Sequence, residues 1–267
     1  MMRDGHIHTP FCPHGSTDSF EEYIEKAIES GFKEISFTEH APLPDGFIDP
    51  TPDKDSGMDK VYLKNYLHQL KTLKEHYQSK IIINIGLEVD YIIGFEQQTR
   101  QFLNEFGPFL DDAILSVHFL QTADEYVCID FSDEVYLQFA NKVGGIAPMY
   151  ELYYETVKKS ILADLGPFKP KRIGHPTLIH KFQLAHSKQI DDSLQIKEIL
   201  ILMKQHHYEL DFNSAGLSKP FCKEPYPPLP FVQFAKELKI PIIFGSDAHT
   251  AQHLHQHYEV LQQKIIF

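Results

Sequence analysis

Apolar and polar positions along the chain switch repeatedly between two periods. Short runs of alternating or continuous apolar character at 4–8, 34–40, 81–88, 112–118, 171–176, 208–213 and 240–246 each predict a β-strand. Between them apolar residues recur every three or four positions, the spacing of a helix with one buried face. Ser19-Phe20-Glu21-Glu22 reads as a capping box that opens a helix over 19–30, with Gly31 as its terminator. Leu63, Tyr66, Leu67, Leu70, Leu73 and Tyr77 mark the next helix, and Phe95, Thr99, Phe102, Leu103 and Phe106 another, closed by Gly107-Pro108. Further helices are predicted near 134–143, 148–165, 192–206, 229–238 and 251–264. Strand, helix and strand follow one another within the first 40 residues, which is a βαβ unit and implies a parallel sheet. The expected architecture is α/β, with seven strands alternating with helices and no internal repeat.

Three segments break the alternation. Residues 41–57 carry Pro42, Pro44, Pro50 and Pro52 with two turn dipeptides, and this long connection is expected to act as a lid or substrate loop. The segment 119–147 and the proline-rich 214–230 join it as the places where substrate choice would lie.

With 267 residues and 42% hydrophobic composition, the chain can build one sizeable core, so a single domain spanning 1–267 is expected. A formal charge of −12, from 37 acidic against 25 basic side chains, argues against nucleic acid as a partner. The beginning lacks the apolar run of a signal peptide, and no stretch approaches the roughly 20 residues of a membrane span. No membrane partner and a cytoplasmic location are therefore expected. Cys12, Cys128 and Cys222 form no C-x-x-C pair, which fits a reducing compartment, and Cys12 is expected to be a small buried hydrophobe rather than a thiolate donor.

The chemistry emerges from what ends each strand. Alternation along 4–8 points His6 and His8 to one side, and Asp247 and His249 repeat that geometry after the last strand. His40, Glu88, His118 and His175 end four of the strands between them. A single strand-end histidine is ordinarily a hydrogen-bonded surface residue, but six of seven strand ends carrying His, Glu or Asp are not independent accidents. If the parallel sheet closes, its C-terminal ends converge on one face, and these residues share a pocket with loop-borne His14. Seven imidazoles and two carboxylates exceed the needs of one ion and suffice for two or three divalent ions, with Zn, Fe or Mn the best match. Glu88, with two oxygens, is the natural bridge. Ions about 3.5–4 Å apart can activate water and clamp a phosphoryl group, so metal-assisted phosphoester hydrolysis is expected.

The order H-x-H, His14, Thr38-Glu39-His40, Glu88, His118, Gly174-His175-Pro176 and Ser246-Asp247-Ala248-His249 resembles the ligand set of the polymerase and histidinol phosphatase (PHP) superfamily, over almost the whole chain. Within it, residues 8–15 (HTPFCPHG) and 38–44 (TEHAPLP) resemble the stand-alone histidinol-phosphatases of bacterial histidine biosynthesis. The resemblance implies a distorted (β/α)7 TIM-like barrel with a trinuclear centre. One ion would be held by His6, His8, Glu88 and Asp247, a second by Glu88, His118 and His175, and a third by His14, His40 and His249. Asp18, near His14 but off the family spacing, is expected to cap the following helix. The implied reaction is hydrolysis of a small phosphorylated substrate, L-histidinol phosphate, by a hydroxide bridging two ions, with Glu88, Asp247 and His249 in catalytic positions. Arg172, three residues before a ligand, is a candidate phosphate clamp, and Asn213 a candidate contact to phosphate or substrate. His253, His255 and His257 are expected to be solvated on the last helix. The competing readings are a protein-tyrosine phosphatase or an exonuclease of the same superfamily, an unrelated amidohydrolase barrel, and a metal-binding protein without activity.

Overall fold

In a computed structural model, which describes residues 2–123 and 125–265, the strand β1 (Arg3–Ile7) pairs in parallel with β2 (Glu34–His40), which pairs with β3 (Ile82–Asp90) and through it β4 (Asp112–Ser116). Two strands after β4 lie outside this sheet: β5 (Phe119–Gln121) and β6 (Tyr126–Cys128) form an antiparallel hairpin. The sheet continues with β7 (Arg172–Ile173), β8 (Glu209–Asn213) and β9 (Ile242–Gly245). The order is β1-β2-β3-β4-β7-β8-β9. The last strand then meets the first. Asp247 N–H donates to the His6 carbonyl at 2.8 Å, and His8 N–H donates to the Ala248 carbonyl at 3.0 Å. Seven parallel strands therefore roll into one nearly closed barrel, the distorted TIM-like α/β fold expected from the sequence.

The helices α1 (Phe20–Glu29), α2 (Lys60–Tyr77), α3 (Glu96–Phe106), α4 (Asp133–Lys142), α5 (Ile146–Leu162), α6 (Ser193–Gln205), α7 (Leu229–Glu237) and α8 (Tyr258–Lys264) cover the outside of the barrel. Their apolar stripes pack on the outward strand residues: Tyr23, Ile24 and Ala27 of α1, and Leu63, Tyr66 and Leu70 of α2, belong to one buried cluster with Ile35, Phe37 and Leu87. The capping box at Ser19 and Glu22 is formed as predicted. Asp18 is not the cap. Its carboxylate accepts the Ala251 N–H at 2.8 Å, tying the loop after β1 to the loop after β9.

Three further expectations are corrected. The helix predicted at 251–264 is broken into a 3-10 turn, Ala251–His253, and α8, because His255 and His257 adopt left-handed backbone (φ 59° and 63°). His255 is accordingly buried rather than solvated, stacked on Phe32 and bonded through Nδ1 to Asp4 at 2.8 Å. Arg172 is not at the mouth. Its guanidinium is fully buried in the barrel interior, donating to Asp112 at 2.6 Å and to the Gly5 carbonyl at 2.9 Å. Asp112, the first residue of β4, also receives Arg3 at 2.8 Å, so this ionic cluster plugs the end of the barrel where the strands begin. Gly5 makes room for it, since a Cβ there would lie 2.3 Å from Arg172 Nη1.

Removing the partner of a buried charge costs far more than the pair's net worth. Asp112→Ala is therefore expected to destabilise the fold by about 3–5 kcal/mol in urea unfolding. Burial raises the Asp112 carboxyl, but Arg172 and Arg3 outweigh it and hold the group below the usual carboxylate range. Its stabilisation is thus present above the unfolded-state value of about 3.9 and is lost as pH falls through the folded-state value. The stability gap between wild type and Asp112→Asn should narrow in acid and be unchanged between pH 6 and 8.

Candidate metal centre

Every donor of the expected set lies at the C-terminal end of a barrel strand or in the loop just beyond it. Register carries out the assembly: His40 of β2 is paired directly with Glu88 of β3, and the seam brings the loop after β9 beside β1. Two donors sit on strained backbone, His175 at φ 22° and Asp247 at φ 53°, conformations that non-glycine residues adopt chiefly where surrounding contacts hold them.

Glu88 occupies the middle. Its side chain is 1% exposed, and its two oxygens face different imidazoles. Oε1 lies 2.8 Å from His175 Nε2 and 3.8 Å from His118 Nε2, and takes a hydrogen bond from Ser116 at 2.6 Å. Oε2 lies 3.1 Å from His40 Nδ1, 3.4 Å from His6 Nε2 and 3.6 Å from His8 Nε2. Asp247 Oδ1 stands 3.0 Å from His8 Nε2 and 3.8 Å from His6 Nε2. Ligand atoms converge in three groups: His6, His8 and Asp247; Glu88, His118 and His175; and His8, Cys12, His40 and His249. The second comprises the same residues as one set that the family pattern implied, and the first comprises three of the four residues of another, without Glu88. In the third, Cys12 and His8 appear, while His14 stands at the exposed edge with its ring 5.1 Å from that of His40 and 5.2 Å from that of His249. His14 Nδ1 donates to the Asp55 carbonyl at 2.9 Å, which leaves Nε2 as the donor atom.

The side chains fit divalent ions. Nε2 of His6, Nε2 of His8 and Nδ1 of His40 are buried without an aligned hydrogen bond, an arrangement proteins rarely tolerate in polar atoms with no function. Donors about 2.1 Å from a tetrahedral ion stand roughly 3.4 Å apart, the same range as the nitrogen–oxygen distances above. On three of the rings the second nitrogen is held by a carboxylate. His6 Nδ1 meets Asp211 at 2.9 Å, His8 Nδ1 meets Glu39 at 3.2 Å and His118 Nδ1 meets Asp90 at 2.8 Å. Such partners fix the ring's orientation and tautomer and raise its basicity as a ligand. Asp90, Asp211, Glu39 and Ser116 were not singled out in the sequence. The available signal was alternation: Asp90 follows Glu88 by two residues on the same face of one strand, and Asp211 precedes Asn213 in the same way.

Electrostatics agree with a cation-binding pocket. Burial works against the Glu88 and Asp247 carboxylates, but the surrounding histidines overcome it and hold both well below the ordinary range. Burial likewise opposes charge on His8 and His118, yet Asp247 with Glu39 pushes the first up to about 9, and Asp90 with Glu88 pushes the second up to about 10. Burial, and then the charge of His8, lowers His40 and His249, which favours the neutral imidazole that donates a lone pair. Asn213 departs from its expected role. Its amide is buried and committed, donating to Asp247 at 3.0 Å and accepting the Ala215 N–H at 2.9 Å, so it positions a candidate donor rather than reaching for substrate.

Comparison with known proteins agrees with this geometry. Residues 4–215 match the PHP domain and residues 232–266 the PHP-associated family. The chain is 44% identical over 266 residues to the histidinol-phosphatase of Bacillus subtilis (strain 168), covering 99% of each. A candidate histidinol phosphatase from Listeria monocytogenes superposes with a TM-score of 0.90 at 44% identity, covering 97% of this chain and 99% of that one. The histidinol phosphate phosphatase of Lactococcus lactis subsp. lactis, solved with zinc, L-histidinol and phosphate, shares the fold at a TM-score of 0.73 and 21% identity, covering 98% and 93%. The donors at the strand ends, the barrel that gathers them and these likenesses lead to one assignment: the chain belongs to the PHP domain family.

Proposed function

We propose that the chain is a metal-dependent phosphomonoesterase that hydrolyses L-histidinol phosphate to L-histidinol and phosphate. The observation that carries the reading is Glu88, whose two oxygens face two separate sets of imidazoles, the arrangement of a carboxylate shared between two cations. Near-full-length identity of 44% to a histidinol-phosphatase directs the substrate assignment away from phosphotyrosine and DNA, which other PHP proteins would take.

His6, His8, Glu88 and Asp247 would hold one divalent ion, Glu88, His118 and His175 a second, and His40 and His249, with His14 beside them, a third, with zinc the first choice for an imidazole-rich set. Such ions, when bound, supply an activated water and neutralise charge on the phosphoryl oxygens. The chain supplies the rest. Asp211, Glu39 and Asp90 lock three rings, Ser116 fixes one Glu88 oxygen, and Asn213 fixes the second oxygen of Asp247. With its donors held before substrate arrives, the centre needs little reorganisation as charge develops.

Phosphate needs a cationic receptor, and with Arg172 committed to the far end of the barrel that role falls to Lys181 and Lys219. Lys181 Nζ lies 2.9 Å from Asp130, a carboxylate coupled to His118. Lys219, in the loop after β8, has its ammonium lowered by burial and then by the charge of Lys181, and both ammonium groups feel the Asp247 carboxylate. An anion bound near both ammonium groups would relieve the repulsion that Lys219 feels from Lys181. A cleft of about 1000 Å³, lined by Phe11, Cys12, Asp55 and Tyr62 among others, lies between the 8–15 loop and the 41–57 loop and would admit the substrate's organic part.

In a panel of L-histidinol phosphate, phosphotyrosine peptide and single-stranded DNA, phosphate release is expected from the first, to be lost on chelation and restored by zinc. Equal turnover of the phosphopeptide would sink the substrate assignment. Asp247→Asn and His8→Ala should leave a folded, inactive protein, while Asp90→Asn or Asp211→Asn should cost about 10–100-fold in metal affinity or activity. Lys219→Ala should raise KM more than it lowers kcat and leave the metal content unchanged, as steady-state kinetics beside elemental analysis will show.

A further inference from the structure

One residue in the third donor group lies outside the ligand set that the family pattern implied. Cys12, at 6% exposure, brings its sulfur within 4.8 Å of the ligand atoms of His8, His40 and His249. Two of those neighbours, themselves 0% and 8% exposed, have the buried ring nitrogens without an aligned hydrogen bond described above. The loop is wound so that the sulfur faces inward. Cys12 N–H donates to the Thr9 carbonyl at 2.9 Å, and Gly15 N–H donates to the Cys12 carbonyl at 3.2 Å. A Cβ at Gly15 would press to 2.9 Å from Cys12 Cβ and 3.4 Å from Sγ, so a glycine is what lets the turn close over the cysteine.

We propose that Cys12 is a metal ligand, its sulfur joining His40 and His249 around the outermost ion. The inference rests on the metal-centre reading of the preceding subsection. As the sulfur–metal bond forms, the S–H bond breaks and the proton leaves to the Glu39 carboxylate beside it or to water. Burial and Glu39 otherwise favour the neutral thiol, but a coordinating cation deprotonates a thiol outright. One soft donor among imidazoles shifts the preference of this position toward zinc or cobalt and away from manganese or magnesium. Cys128 and Cys222 belong to no such donor group among the described residues.

X-ray absorption at the zinc edge of the zinc-loaded full chain tests this directly. The expected result is a sulfur neighbour at about 2.3 Å beside the nitrogen and oxygen neighbours at about 2.0–2.2 Å. The sulfur shell should vanish in Cys12→Ser and persist in Cys128→Ser and Cys222→Ser. Zinc bound by nitrogen and oxygen alone, or a sulfur shell that survives Cys12→Ser, would overturn the proposal and leave the rest of the centre standing. A chain that takes up no zinc would overturn both readings. The wild-type spectrum decides even if the Cys12 variant fails to fold, and the cobalt-loaded protein gives a second readout, a sulfur-to-metal charge-transfer band present in wild type.

Discussion

The site depends on a seam. His6 and His8 come from the first strand and the loop beyond it, Asp247 and His249 from the loop after the last, and in an open sheet these would stand at opposite edges. Closure brings His8 Nε2 to 3.0 Å from Asp247 Oδ1. Only a few backbone hydrogen bonds join β1 to the residues after β9, and a buried carboxylate reinforces them. Asp4 Oδ1 accepts the N–H of Ser246 at 2.9 Å and of His6 at 3.3 Å, while Oδ2 pairs with His255. One side chain thus fastens both strands and the turn that follows them. Donors on strands held in this way are placed with a precision that loops seldom reach.

The barrel interior is polar at both ends for opposite reasons. Where the strands begin, Arg172 and Arg3 share Asp112, and Arg3 also meets Glu34 at 3.2 Å, so two cations face two carboxylates. Where they end, Glu39, Glu88, Asp90, Asp211 and Asp247 surround six buried or half-buried histidines with no lysine or arginine hydrogen-bonded to any of these carboxylates among the described residues. Buried carboxylates at such separations repel, and only protons on the imidazoles or cations between them offset that. The first end draws its countercharges from the chain, whereas the second is built for something positive that the chain does not itself provide.

The parallel strands and most helices were legible because each carries its own local signal: alternation at His6 and His8, a continuous apolar run before Glu88, a capping box at Ser19. The candidate donors were legible for a related reason, since strand ends in a closed barrel converge whatever the intervening loops do. What was not legible depends on direction rather than position. Arg172 precedes His175 by three residues, but its long side chain turns toward the start of the strands, where Asp112 neutralises it. Asn213 sits at the expected strand end, yet its amide is drawn to Asp247. His255 looked solvated on a continuous helix, and only the left-handed backbone at 255 and 257 turns it inward to Asp4. The β5–β6 hairpin is six residues in two short strands, too brief to stand out from loop composition.

Strand ends and loops divide the chemistry between them. Strand-borne donors, and His175 and Asp247 on strained turns directly beyond their strands, form a centre that any phosphoester could approach, so they determine the reaction and not the substrate. The groups proposed to receive the substrate come from elsewhere: Lys219 from the loop after β8 and Lys181 from the 3-10 turn at Leu178–Phe182 for the phosphate, and the cleft between the 8–15 and 41–57 loops for the organic part. His14 and Cys12 belong to both, since the loop that carries them borders the cleft and reaches the donor cluster. An ion held there would couple the position of a substrate loop to the occupancy of the centre. That coupling is a physical route by which a metal site on strand ends and the loops around it together would yield a selective phosphatase.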